Sequence, residues 1–180
     1  GPAPDYKAIA ADPRKDRQLA DAYKLDPKVM IEADRLYGPL DWRLPESHAI
    51  YWAMRGIGAG GGRADPVFDG MICEAMSESC LHGRVVDLRP DDGVLATDMR
   101  EDLVDRTRSV FLSAAARHAA PIEKDAGFGS SYRRFLRRAV PMLAAAGRRE
   151  SALGLFSILK DELHDDEAVA AGALEKYVAL

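Results

Sequence analysis

The chain has 180 residues, of which 47% are hydrophobic, and its 25 basic and 29 acidic side chains give a net charge of −4. A chain of this length and composition is expected to fold as one compact domain or a short repeat array. Because both signs of charge are mixed along the chain, the composition favours neither nucleic acid nor an anionic membrane as a partner. No apolar run reaches the roughly 18 residues of a membrane span, so membrane insertion is not predicted.

The first 25 residues are expected to be an N-terminal segment that is only partly ordered. Gly1-Pro2 is typical of the remnant that a protease leaves after a tag is removed, and a short helix is predicted over Lys15–Tyr23. No signal-peptide pattern is visible, and two cysteines are too few for a disulfide framework. These features favour a cytoplasmic location, which a signal on a missing terminus would overturn.

Helix start and stop signals recur along the first half of the chain. Asp26-Pro27 and Asp65-Pro66 each place a capping residue before a proline at the first helical position. The helix that starts at Asp26 is predicted to end at Gly38, and a second helix begins at Pro45. These two helices are expected to pair as a hairpin, and the helix from Asp65 is predicted to end at Gly83.

The second half of the chain is predicted to be helical as well. A long helix is expected from about Thr97 to His118, and a last helix over 166–178. The run RVVDL at 84–88 is β-branched, but it is short and has no evident partner, so no strand is predicted. The sequence therefore predicts an all-α fold, in which antiparallel helical hairpins form a short α-solenoid or an irregular helical bundle of about seven helices.

The clearest hairpin pattern lies between Tyr132 and Leu163, where two amphipathic helices flank Gly147. The first helix carries a stripe with the spacing of a buried face, namely Tyr132, Leu136, Ala139, Val140 and Leu143. The stripe of the second helix comprises Ala152, Leu155, Phe156 and Leu159. Gly147 follows the first stripe, where a left-handed glycine commonly ends a helix. Pro141 points to the solvent side on a helical wheel and is expected to kink the first helix without breaking it.

This hairpin resembles a tetratricopeptide (TPR) repeat, a helix pair of about 34 residues. Aligned on Gly147, the small position of the second helix falls on Ala152 and its aromatic position on Phe156. The sequence departs from the TPR pattern at Val140, where glycine is usual, and at His164, where proline is usual. The resemblance implies that residues 26–180 form a single TPR-like domain, a non-catalytic scaffold that binds a protein or peptide partner.

An arginine-rich face is the first candidate binding site. Arg133, Arg134, Arg137 and Arg138 fall opposite the buried stripe, and Arg148 and Arg149 follow closely. Such a face could bind an acidic peptide or phosphate groups. The acidic residues at 161–167 could neutralise part of the charge of this face. The alternative interpretation is that the arginines form a solvated surface that binds no partner. No aromatic residues interleave with the arginines as in single-strand binders, so nucleic acid is not predicted.

An aromatic cluster in the first half of the chain is the second candidate site. Trp42, His48, Tyr51, Trp52 and Arg55 fall together in a loop and the helix after it. Aromatic residues and arginine are the commonest anchors of protein interfaces. The alternative function is a helical ligand-binding or enzymatic domain with its pocket at this cluster. The structural alternative is that both Tyr51 and Trp52 pack in the core.

No motif predicts catalysis, a cofactor or a metal. Cys73, Cys80 and His82 are too few and wrongly spaced for a zinc site, and buried helical cysteines are the favoured interpretation. The glycine loop at 58–65 lacks the lysine of a phosphate-binding loop. No catalytic triad order or metalloprotease motif is present, so the chain is predicted not to be an enzyme.

Overall fold

The structure is a computed structural model that describes residues 11–62, 65–89, 94–124 and 126–179. Helices predominate in these residues, which confirms the all-α class. The interpretation of Gly1-Pro2 as a tag remnant and part of the glycine loop at 58–65 lie outside the described residues.

Nine α-helices and one two-stranded sheet occur in the described part of the chain. The helices are α1 (Pro13–Gln18), α2 (Pro27–Tyr37), α3 (Pro45–Ala59), α4 (Pro66–His82), α5 (Val104–Arg117), α6 (Phe128–Ala145), α7 (Arg149–Ser157), α8 (Asp166–Ala171) and α9 (Leu174–Tyr177). The strands are β1 (Arg84–Arg89) and β2 (Val94–Asp98). A π-helical turn follows α1 over Leu19–Tyr23 and another follows α7 over Ile158–Glu162, while a 3₁₀ turn over Glu101–Leu103 precedes α5.

The chain divides into two compact units, Gly1–Ser79 and Cys80–Leu180. The expectation of a single domain over 26–180 stays a prediction. None of the helices in the described ranges combines the length and the hydrophobicity needed to cross a bilayer.

In the first unit, the predicted hairpin is the pair α2 and α3. The Asp26 carboxylate accepts a hydrogen bond from the Lys28 backbone N–H at 2.8 Å, which confirms the predicted cap. Tyr51 of α3 is 1% exposed and packs with Leu25 and Met30. Its hydroxyl accepts a hydrogen bond from the Asp26 backbone N–H at 2.8 Å. The start of α2 is therefore fixed against the middle of α3.

Helix α4 carries both cysteines, and both are buried, as predicted. Cys73 is 1% exposed and Cys80 is 0% exposed. Burial raises the pKa of the Cys80 thiol from 9.0 to about 12, so the group is neutral at physiological pH. The Cys80 carbonyl accepts a hydrogen bond from the Arg100 backbone N–H at 2.7 Å, which ties the end of α4 to the segment after β2.

Neither thiol is expected to react with a thiol reagent while the protein is folded, because both are buried and burial also disfavours the reactive thiolate of Cys80. With 5,5′-dithiobis(2-nitrobenzoate) at pH 8, we expect the native protein to release no thionitrobenzoate promptly. The protein unfolded in guanidinium should release it from both cysteines. The neutral Cys80 thiol stabilises the fold below pH 9.0, and this contribution is lost as the pH rises toward about 12. Prompt titration of one thiol in native buffer would contradict the buried placement.

The prediction that no strand is present is wrong. Strand β1 pairs with β2 as an antiparallel ribbon in which Arg84 lies opposite Asp98 and Val86 lies opposite Ala96. The partner of β1 is Val94–Asp98, whose last two residues, Thr97 and Asp98, are assigned by the sequence pattern to the start of the long helix. Helix α5 accordingly begins at Val104, not at Thr97. Opposite charges at a cross-strand position favour this pairing over a helical start.

In the second unit, helices α6 and α7 form the hairpin predicted around Gly147. All of the predicted stripe residues of both helices are buried. Gly147 has φ +74°. Its N–H donates to the Ala144 carbonyl at 3.0 Å, and the Arg148 N–H donates to the Leu143 carbonyl at 2.8 Å. These two bonds form a Schellman motif, so the predicted left-handed helix stop is confirmed.

Helix α6 continues through Pro141 without a break, as predicted, and Pro141 itself is half-buried. One detail of the helix prediction needs correction. The last predicted helix, 166–178, is two short helices, because Gly172 adopts φ +69° and ends α8. A glycine in this conformation terminates a helix in the same way as Gly147.

Candidate partner-binding site

The four arginines of α6 do not form one exposed face. Arg133 is 7% exposed, and its guanidinium donates to the Leu163 carbonyl at 2.8 Å and to the Glu123 carbonyl at 3.1 Å. It also lies 3.8 Å from the Asp165 carboxylate. The placement of Arg133 on the solvent side is therefore wrong. A long side chain next to a buried carboxylate and two carbonyls is drawn inward, because those groups need donors.

The other three arginines differ from one another in exposure and contacts. The Arg137 Nε donates to Asp165 Oδ2 at 2.8 Å. Half-buried Arg138 places a guanidinium nitrogen 2.9 Å from His82 Nε2. Arg134 is exposed and donates to the Ser131 hydroxyl at 3.3 Å. The acidic segment 161–167 thus neutralises part of the arginine face, as the sequence suggested.

Asp165 is the centre of this arrangement, which we call the arginine clamp: Asp165 with Arg133 and Arg137. The Asp165 side chain is fully buried, and its carboxylate also accepts the Ala168 backbone N–H at 3.2 Å as the cap of α8. The clamp therefore joins α6 to the start of α8. Its contacts lie within the fold, which weakens the arginine face as a site for a partner.

The aromatic cluster of the first unit has one buried and one exposed side. The Trp42 ring meets the rings of His48 and Tyr51 edge-on at 6.1 Å and 6.3 Å. The His48 Nε2 also lies 3.1 Å from the Trp42 carbonyl oxygen. Tyr51 is in the core, whereas Trp52 is 47% exposed. The cluster thus supplies packing at Trp42, His48 and Tyr51 and an accessible surface at Trp52.

Trp52 and Arg55 line a cleft together with Tyr51 and residues that precede or begin α2. The cleft has a volume of about 500 Å³, and its other lining residues are Ala20, Lys24, Leu25, Asp26 and Lys28. We call it the cationic cleft. Trp42 and His48 do not line it. The sequence analysis missed Lys24 and Lys28, since their proximity to Arg55 depends on how the α2–α3 hairpin packs.

The cationic cleft carries an excess of positive charge. Three cationic side chains, Lys24, Lys28 and Arg55, face one carboxylate, Asp26. That carboxylate already accepts the Lys28 backbone N–H as a helix cap. Lys24, Lys28 and Arg55 are all exposed, so their head groups are accessible to a ligand. The lining is complementary to a carboxylate or another anionic group.

A neighbouring cleft extends this surface along α2 and α3. It has a volume of about 450 Å³ and shares Lys28 and Arg55 with the cationic cleft. Val29 and Met54 give it an apolar wall, and Glu32 is the acidic residue of its lining. An extended ligand could therefore cross both clefts with its anionic groups at the shared pair.

A cleft in the second unit is larger but electrically balanced. Its volume is about 530 Å³, and its charged lining residues are Arg84, Arg100, Arg148, Asp98, Glu101 and Asp102. Arg148 lies 2.8 Å from Glu101, and Arg100 pairs with Asp102. With three charges of each sign, this cleft has no net preference for an anionic or a cationic ligand. The cationic cleft is therefore the better candidate site.

No protein-family model matches the sequence, and no curated protein or solved structure shows significant similarity to it. The site must therefore be judged on its own chemistry. Across residues 11–62, 65–89, 94–124 and 126–179, no three His, Cys, Asp or Glu side chains are grouped so that they could hold a metal ion.

Proposed function

We propose that the chain is a non-catalytic, TPR-like helical scaffold that binds an acidic segment of a protein partner in the cationic cleft. The observation that carries this proposal is the half-exposed Trp52 beside Lys24, Lys28 and Arg55. Tryptophan and arginine are the residues most enriched among the anchors of protein interfaces. Basic side chains around them select an acidic partner.

The position of Trp52 supports its use as an anchor. Its ring meets the Tyr51 ring edge-on at 5.0 Å, and Tyr51 is itself held in the core. The Tyr51 hydroxyl is in turn bonded to the backbone at the start of α2. Because the ring packs against a fixed neighbour, less conformational freedom is lost when a partner binds.

The charges of the cleft define the chemistry of the partner. Arg55 can donate two parallel hydrogen bonds to one carboxylate, and Lys24 and Lys28 can each attract a further one. The apolar wall at Val29 and Met54 suits an aliphatic or aromatic side chain next to those carboxylates. The partner segment is therefore an extended stretch that combines Asp or Glu with a large apolar residue.

The TPR-like part of the proposal rests on the α6–α7 hairpin. Its turn at Gly147 and the buried Ala152 and Phe156 agree with the repeat pattern. Repeat scaffolds use stacked helical hairpins to present extended binding surfaces. The inference from this hairpin to a scaffold function is an analogy between folds. The proposed function is therefore tested through the binding of acidic segments to the cationic cleft.

Charge reversal at Arg55 is expected to lower the affinity for acidic peptides at least about tenfold, because it removes one cation and adds an anion at the centre of the site. Peptides would first be selected on the wild-type protein from a random display library. Those selected should be enriched in Asp and Glu, and their affinity should fall with salt. The Trp52→Ala variant should lose a similar amount of affinity for these peptides, since it removes the anchor.

The matched control is the variant Arg43→Glu. Arg43 is an exposed arginine of the same unit, and it lines neither of the two adjoining clefts. It should leave the affinity within about twofold of wild type, as expected of a charge outside the site. Equal losses in the Arg55 and Arg43 variants, or selected peptides without acidic residues, would contradict the proposal.

A small anionic ligand is the second candidate occupant of the cationic cleft. Its volume of about 500 Å³ lies within the range of ligand pockets, roughly 300–1,000 Å³. Thermal-shift measurements with a panel of carboxylate and phosphate metabolites separate the two hypotheses. A stabilisation that Arg55→Glu abolishes would favour a ligand-binding or enzymatic domain over the scaffold.

A further inference from the structure

The cationic cleft and the neighbouring cleft both include Lys28 and Arg55, so together they form one groove, which we call the shared groove. Its lining residues come from 20–32 on one side and from α3 on the other. Along α3, Trp52 lines one end, Arg55 the middle and Gly58 the other end. Each of these residues is three positions from the next, which corresponds to about 4.5 Å along a helix. The shared groove therefore offers successive contact positions at a fixed separation.

The middle of the shared groove carries positive charge that the protein itself does not neutralise. Its three cationic side chains are Lys24, Lys28 and Arg55. Within the described residues, none of the three takes part in an ion pair. The Glu32 carboxylate is already held by Arg35, whose Nε donates to it at 2.8 Å. Asp26 alone opposes the three cations, so a carboxylate of the partner is attracted to this region.

The end of the shared groove at Gly58 is lined mainly by apolar residues and has free space. Val29, Met54 and Ala59 line it. A β-carbon on Gly58 would meet no atom of the described chain within 4 Å, apart from the backbone of its own helix. Methionine adapts its shape to a guest because it is unbranched and polarisable. This end can therefore accept one large apolar side chain.

We propose that Gly58 determines the specificity of the shared groove, because it admits a large apolar residue that lies two positions from an acidic residue in the partner segment. This inference rests on the proposed function, which supplies the acidic, extended segment. The acidic residue binds at the two cations that both clefts share, and the apolar side chain lies over Gly58. A larger residue at position 58 would fill that space, so glycine there is what allows the apolar side chain to enter.

The spacing of the two partner residues follows from the geometry of an extended chain. Successive residues advance by about 3.3 Å and point to opposite faces, so only every second side chain faces the groove. Residues two positions apart are separated by about 6.6 Å, and the long arginine side chain can span the difference from the roughly 4.5 Å between Arg55 and Gly58. Residues four positions apart are separated by about 13 Å, which is too far. The two-position spacing therefore fits both contact positions.

The test is a series of 12-residue peptides derived from one acidic sequence selected on the wild-type protein. A single large apolar residue is placed one, two, three or four positions from the acidic residue on which binding depends. On the wild-type protein, the two-position peptide should bind at least about tenfold more tightly than the others, since only its apolar side chain is buried. This comparison uses the wild-type protein throughout, so it does not depend on the folding of a variant.

The variant Gly58→Leu should remove the preference for one spacing. Its leucine side chain occupies the apolar end, so the affinity of the two-position peptide should fall about tenfold, to that of the other peptides. Gly70→Leu is the matched control. Gly70 lies in α4 of the same unit, an added β-carbon there would also meet no atom within 4 Å, and Gly70 lines neither cleft. This variant should bind all four peptides as the wild type does.

The outcomes separate this proposal from the proposed function. If Arg55→Glu weakens the acidic peptides but the spacing has no effect on the wild-type protein, the specificity assigned to Gly58 is overturned and the proposed function stands. A preference for three or four positions also overturns it, since that spacing belongs to a helical guest. If no acidic peptide binds in a manner that depends on Arg55, the proposed function fails and this proposal fails with it.

Discussion

Replacing Asp165 with alanine is expected to lower the free energy of unfolding of the second unit by about 3–5 kcal/mol, the usual loss when one partner of a buried ion pair is removed. The Asp165 side chain is fully buried, 2.8 Å from Arg137 and 3.8 Å from the buried Arg133. The change also removes the cap of α8, where the carboxylate accepts the Ala168 N–H. Such a loss is a large fraction of the 5–15 kcal/mol that is typical of a domain.

The measurement is urea unfolding followed by circular dichroism, with Asp166→Ala as the control. Asp166 is the next residue in the chain, has the same charge and is exposed in the first turn of α8. Its replacement should cost less than about 1 kcal/mol, the range of a helix-dipole contact. Equal losses in the two variants would mean that the clamp has no special role.

Gly129→Ala is expected to destabilise the second unit by about 3 kcal/mol, at the upper end of the range for overpacked positions. A β-carbon at Gly129 would overlap the Lys124 carbonyl oxygen and would lie 2.6 Å from the Ile122 carbonyl oxygen. Both obstacles are backbone atoms, so the clash cannot be relieved by rotating a side chain. Relief requires the loop before α6 to move away from the helix.

Gly154→Ala is the matched control for this change, and thermal unfolding of both variants is the measurement. Gly154 lies in α7, is exposed, and an added β-carbon would meet no atom within 4 Å. There the substitution should raise stability by up to about 1 kcal/mol through helix propensity. A lower melting temperature for Gly154→Ala, or an unchanged one for Gly129→Ala, would contradict the packing described.

Much of the helical architecture could be predicted from local signals. The caps at Asp26 and Asp65 and the glycine stop at Gly147 act within one turn of the residue itself, so the sequence alone is sufficient. The buried stripes of α6 and α7 follow from the helical period. Gly172 ends α8 in the same left-handed conformation, but the alanines around it have a high helix propensity, so the helical pattern of the sequence continues past it.

Features that depend on distant partners could not be predicted in this way. The run at 84–88 became a strand because Val94–Asp98 is available to pair with it. Arg133 faces inward because its acceptors at Glu123 and Leu163 are brought to it by the fold, 10 and 30 residues away. A helical wheel places side chains by angle only and contains no information on such acceptors.

The candidate site was predicted in part. Trp52 and Arg55 came from the aromatic pattern of one helix, and both line the cationic cleft. Lys24 and Lys28 belong to the other side of a hairpin, so their contribution emerges only from packing.

The arginine clamp also has a consequence for the kinetics of folding. Arg137 donates to the Asp165 carboxylate 28 residues further along the chain, so this bond can form only after the intervening hairpin has closed. Contacts made after the transition state influence the rate of unfolding and hardly affect the rate of folding. We therefore expect the clamp to form late in folding and to slow the unfolding of the native state. Asp165→Ala should raise the rate of unfolding and leave the rate of refolding nearly unchanged.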